Sequence, residues 1–328
     1  MMWRTLMMGW ALAGSTALSA QTATTTLDAV SGVPEIDKTT QTQDVKFHNE
    51  RDDRMTVVVR LAGAGPYHFI VDTAADRTAV SREVADALKL PLAGGAQLHS
   101  VAGVTQVATA RIRDLEFTHP PEQSIEAAVL DGRYIGADGI VGADVLRSQR
   151  VQFDFEKQTM SIVPSSAPDP GSAEGAIVVR AKRKNGRLIV TDAVADGQRL
   201  TVVLDTGSDV TIGSPALRRR LVGPNLIDAD KVVELESVTG AKITGDYMFV
   251  REMTIGGVGL SNLAVVFTDA HTFKQLGLEK TPALLLGMNA IRAFKKVSID
   301  FANRKFRVVL PEHSELETQI ASARPRAP

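Results

Sequence analysis

Two aspartates stand in settings that suggest chemistry. Asp72 ends the apolar run Phe69-Ile-Val and is followed by Thr73, Ala74, Ala75 and Asp76. Asp205 ends Val202-Val-Leu and is followed by Thr206, Gly207, Ser208 and Asp209. Two carboxyl groups can do acid–base chemistry on water, one as the base that activates it and the other as the acid that protonates the group it attacks. Two carboxyl groups held close cannot both ionise easily, so one loses its proton readily and the other keeps it. Asp72 and Asp205 are therefore the candidate catalytic pair. A coupled pair titrates as a unit, so the sequence does not say which is base and which is acid.

The elements that must position this pair are duplicated along the chain. Ser81 and Ser214 each open a short helical pattern, and both lie at the 133-residue offset that carries position 72 onto 205. Serine suits an N-cap, and Pro215 suits the first helical position of the second copy. Leu98-His-Ser-Val-Ala-Gly103 matches Leu235-Glu-Ser-Val-Thr-Gly240, and Gly139-Ile-Val-Gly-Ala-Asp-Val-Leu146 matches Leu284-Leu-Leu-Gly-Met-Asn-Ala-Ile291. Each copy closes on a similar strand, Val151-Gln-Phe-Asp-Phe155 and Val297-Ser-Ile-Asp-Phe301. The offset grows along the chain, as loop insertions in the second copy require. Strands are expected at 55–61, 68–71, 107–112, 151–155 and 159–163, and a hairpin joins 188–194 to 199–204 around Asp196-Gly197.

A lone Asp-Thr-Gly is weak as a motif. Here it occurs twice, each time after an apolar strand and before an apolar-apolar-Gly segment. This arrangement resembles the retropepsin-like and pepsin-like aspartic peptidases over nearly all of residues 45–310. The resemblance implies an all-β fold of two tandem retropepsin-like lobes of β-barrel character, with short helices and a pseudo-twofold bilobal arrangement. Two flap candidates, with tips at Ala102 and Gly103 and at Thr239 and Gly240, point to a retropepsin-like pair fused in one chain. Thr73, Ala74, Thr206 and Gly207 would support the catalytic loops, and the flap residues would touch substrate. Asp76 and Asp209 resemble the family's substrate-contacting aspartate. The arginine that supports it after the second-motif glycine is replaced by Ala143 and Met288. Ala74 also departs from the family pattern by replacing a glycine. The implied activity is endopeptidase; the alternative is an exported peptide-binding protein with little or no turnover. Both aspartates lie in one polypeptide, so a monomer acting as a pseudo-dimer suffices, with pairing between chains as the other arrangement.

The remaining features bound the function. The chain has 328 residues, 44% hydrophobic and 23% charged, with a net charge of −1, which gives no support for nucleic-acid binding. No cysteine is present, which excludes disulfides, thiolate nucleophiles and zinc–thiolate sites. The six histidines show no metal-ligand spacing, so no metal or cofactor is expected. The basic runs at 180–187 and 218–220 read as solvated faces. Residues 1–20 carry one arginine and then a short apolar stretch, the pattern of a signal peptide rather than a membrane span. The expected organisation is a leader at 1–20, a flexible linker at 21–44, a first lobe at 45–163, a linker at 164–175, a second lobe at 176–310 and a tail at 311–328. Export to the periplasm or the medium follows from the leader.

Overall fold

The computed structural model describes residues 5–7, 26–28, 45–46, 55–116, 122–167, 176–184, 187–222 and 231–311. The expected leader, the 21–44 linker and the tail lie outside the described residues, apart from short strands at Thr5–Met7 and Thr26–Asp28 and residue 311. The described chain is mostly β with six short helices. None of these is long and apolar enough to cross a membrane.

Each half builds its own large sheet around the same motif. In the first, Ala64–Val71 runs parallel to Gly139–Val141, which is antiparallel to Ala79–Ser81. In the second, Gln198–Leu204 runs parallel to Ala283–Leu286, which is antiparallel to Thr211–Gly213. The apolar runs ahead of both aspartates are buried, as strands covered on both faces require. The parallel ladder ends by holding each aspartate's own backbone: the Asp72 amide donates to the Val141 carbonyl and the Asp205 amide to the Leu286 carbonyl, both at 3.0 Å.

Two glycines allow the second-motif loops to pack this closely. A β-carbon at Gly142 would collide with the backbone of Arg77, and one at Gly287 with that of Val210. The helices start where the serines dictate. The Ser81 hydroxyl accepts from the Val84 amide at 3.2 Å and the Ser214 hydroxyl from the Leu217 amide at 3.1 Å.

A third, six-stranded sheet joins the halves. Gln149–Asp154 of the first half pairs antiparallel with Lys296–Asp300 of the second, and the hairpin partners Thr159–Pro164 and Lys305–Val309 flank them. Two cross-strand ion pairs span this seam. Arg150 lies opposite Asp300, both fully buried, at 3.9 Å; Lys296 lies opposite Asp154 at 2.9 Å. The repeat explains the pattern, because each closing strand carries one cation and one aspartate in antiparallel register. Asp300 also accepts from the Ser165 hydroxyl and the Asn303 amide, which helps offset the desolvation of the pair.

Removing one partner takes the paired opposite charge away from a buried ionised group. Asp300→Ala should lower stability by about 3–5 kcal/mol in denaturant unfolding, whereas changing Arg150 and Asp300 together to apolar residues should cost far less.

Candidate active site

The two aspartate loops meet between the halves and hold each other through a reciprocal set of hydrogen bonds. The Thr73 amide donates to the Thr206 hydroxyl oxygen and the Thr206 amide to that of Thr73, each at 3.1 Å. Each hydroxyl then donates to a strand carbonyl of the opposite half, Thr73 to Leu204 at 3.0 Å and Thr206 to Val71 at 2.7 Å. Each threonine thus uses its amide, its hydroxyl proton and its oxygen on the opposite half. This directional requirement fits threonine better than a generic strand preference.

Both carboxyls are fully buried. The Asp72 Oδ1 accepts from the amides of Ala74 and Ala75 at 2.8 and 2.9 Å, and the Asp205 Oδ1 accepts from the Gly207 amide at 3.1 Å. The Oδ2 of each is buried and accepts no hydrogen bond among the described residues. The loops are in close contact, since a β-carbon at Gly207 would overlap the Asp72 carboxyl. Burial pushes Asp72 up to about 7 against the pull of its two amide donors and Arg187. Burial, and then the charge of Asp72, hold Asp205 well above the usual carboxylate range. The two carboxyls therefore titrate as one unit, with at least one proton held well above the usual carboxylate range.

Arg187 corrects the expectation that residues 180–187 form a solvated face. Lys182, Arg183 and Lys184 are exposed, but Arg187 is fully buried at the start of the strand Arg187–Ala195. Its Nε donates to the Ala74 carbonyl at 2.7 Å, and its guanidinium lies 3.2 Å from the Asp76 carboxylate and reaches the side-chain oxygen of Gln275. The first aspartate loop is therefore braced by a cation from the opposite half, which replaces the missing arginine at Ala143. The 133-residue offset carries position 54 onto 187, and both are arginine. That repeat was the available signal for Arg187; Arg54 lies outside the described residues. Asp209, the counterpart of Asp76, lines a small pocket with Thr206, Gly207, Met288 and Arg292.

The second-motif residues support the loops from below in both halves. Asp144 accepts from the Thr78 amide and hydroxyl at 2.9 and 2.8 Å, and Asn289 accepts from the Thr211 hydroxyl at 2.8 Å.

Two hairpins cover the aspartates. The first joins Leu92–Ser100 to Gly103–Glu116, with Ala102 and Gly103 at its turn; the second joins Val232–Ser237 to Lys242–Ile255, with Thr239 and Gly240 at its turn. The tips are crossed. Val101 of the first is buried in an apolar cluster of the second half with Val210, Ile212 and Phe273. Val238 of the second is buried in a cluster of the first half with Ile70, Leu98 and Ile140. Gly240 lies against the Tyr134 ring, which leaves no room there for a side chain. Both copies of the Ser-Val-x-Gly turn carry one of these valines, and that shared position was the available signal for them.

A further contact fastens only the first flap. His99 Nδ1 lies 2.8 Å from His271 Nε2, and the His271 amide donates to the Val101 carbonyl at 2.9 Å. No motif marked this pair, because the second copy has Glu236 where the first has His99.

A two-lobed β molecule with one Asp-Thr loop per lobe, clamped face to face under paired flaps, is the architecture of an aspartic peptidase. The aspartyl protease family model matches residues 57–145 and 191–290, more than half of the chain, and the chain belongs to that family. None of the curated proteins compared with it matches.

The imidazole pair predicts that the hold on the first flap depends on pH. An imidazole–imidazole hydrogen bond needs one neutral ring, so charging both breaks it. Burial lowers the affinity of both histidines for protons. His271 and Arg187 oppose a charge on His99 while Asp76 favours it; Lys274 opposes and Asp269 favours one on His271. The closed state therefore binds fewer protons than the open one. Closure is fully favoured above the ordinary imidazole value of 6.5 and weakens as pH falls below it. Hydrogen-exchange protection across residues 95–105, corrected for intrinsic rates, should drop about fivefold to tenfold between pH 8 and pH 5. His271→Gln should show weak protection at both, with the second flap unaffected.

Proposed function

We propose that the protein is an endopeptidase in which Asp72 and Asp205 share one proton and activate a water between them. The observation that carries this reading is the pair of buried Oδ2 oxygens, one on each carboxyl, with unused acceptor capacity at the meeting point of two mutually clamped loops. One member of the pair is ionised and takes a proton from the attacking water. The other keeps its proton and donates it to the substrate carbonyl oxygen, which becomes the hydroxyl of a tetrahedral intermediate. As that intermediate collapses, the first carboxyl gives the proton it took to the departing amine, and the second recovers a proton from a hydroxyl of the intermediate as the carbonyl reforms. The roles are those of the pair.

The flaps limit access. With both aspartates buried and both valine tips lodged in the opposite half, substrate enters only when a flap lifts. The pockets that the valines leave are apolar, so apolar substrate side chains fit beside the cut bond. Export is part of the same proposal and rests on the leader pattern at 1–20. A peptide-binding protein with little turnover is the second reading. It is favoured by Ala74, whose methyl is fully buried in the first loop where the second has Gly207.

The mature protein should cleave a mixed peptide library, and Asp72→Asn and Asp205→Asn should each reduce the rate at least a thousandfold. Mass spectrometry of the products at several pH values checks this. Equal cleavage by all three proteins contradicts the proposed chemistry, and peptide binding without cleavage by the parent favours the second reading.

A further inference from the structure

A cavity of about 1030 Å³ is lined by neither catalytic candidate. It opens beside the first aspartate loop, between the first flap and the strand Glu122–Leu130, and is closed on one side by Arg183 from the second half. Leu98 and Ala128 form part of its wall and also belong to the apolar cluster that receives Val238. The cavity thus continues from the pocket that the second flap's valine fills. A chain lying in the cleft with an apolar side chain in that pocket would carry its next few residues past this cavity.

The charges around it are unequal once internal bonds are counted. Asp76 is engaged by Arg187, and Asp144 accepts from the Thr78 amide and hydroxyl. Asp144 keeps its negative charge, since both of these donors are neutral, and so does Glu126, which is exposed. Against these two stand three cations, Arg77, Arg147 and Arg183, all exposed and none ion-paired among the described residues; Arg147 donates from its Nε to the Asp144 carbonyl. Arg77 follows Asp76 directly on the aspartate loop, and Arg183 sits in the exposed basic strand Lys182–Lys184. Three guanidiniums from two halves therefore converge on one space that also has apolar walls. Guanidinium forks match the planar geometry of a carboxylate.

We propose that this cavity is a distal subsite selecting peptides with an acidic side chain a few residues from the cut bond, held by Arg77, Arg147 and Arg183. The inference rests on the peptidase reading for the nature of the ligand but not on turnover. It also assigns a role to part of the basic run at 180–187, which a solvated face does not.

The test is peptide binding by fluorescence anisotropy, with cleavage followed in parallel. Peptides with a central apolar pair carry one Glu, scanned through the flanking positions, each with a Gln counterpart. The parent should bind the Glu peptide about tenfold more tightly at one flanking position. The Arg77→Gln/Arg183→Gln variant should lose that preference while binding the Gln peptides as the parent does. Equal binding of Glu and Gln peptides at every position overturns the inference, as does a preference that survives in the variant. An acid preference without cleavage keeps the subsite and removes the peptidase reading. Cleavage without the preference does the reverse, and no binding of any peptide overturns both.

Discussion

Burying two carboxyl groups against each other costs free energy, because neither can be hydrated and both cannot carry charge. Much of this molecule is arranged around that cost. Asp72 and Asp205 are each reached by a buried apolar strand, and each receives backbone amides on one oxygen only. The threonine clamp then fixes the two loops relative to one another with four short hydrogen bonds. Without it, repulsion between the carboxyls would act on two loops that no longer hold each other. The shared sheet carries the same constraint outward, since its strands and its two ion pairs cross the same boundary.

The duplication supplies symmetry, and the departures from it supply the specific behaviour. Gly207 fits tightly under the Asp72 carboxyl, whereas Ala74 fills the corresponding place in the first loop and hands its carbonyl to Arg187. Only the first flap carries the imidazole contact, and only the second rests its tip glycine on Tyr134. The two flaps are therefore not equivalent lids. The imidazole contact predicts that acidification loosens one of them, because burial lowers the proton affinity of both rings.

Much of this was legible in the sequence because it is local or repeated. Apolar runs before each aspartate, serine N-caps at 81 and 214 and the turn at Asp196-Gly197 are short-range features, and their physics acts within a few residues. The duplicated segments carried the long-range pairing of Asp72 with Asp205. Arg187 was hidden because its neighbours are exposed lysines and arginines, and its partners belong to the other half. The His99–His271 contact was not legible at all: it joins residues far apart and has no counterpart in the second copy. The shared sheet was half visible, since both closing strands were recognised but the partner of a strand edge is not a property of its own sequence.

The central claim is that Asp72 and Asp205 behave as one coupled acid. Carbon-13 NMR titration of labelled aspartate carboxyls, with Asp72→Asn and Asp205→Asn used for assignment, measures this directly. The account predicts that one proton stays on the pair well above the ordinary carboxylate range and that both carboxyl signals respond to its loss. Two independent titrations near the ordinary aspartate value would contradict it.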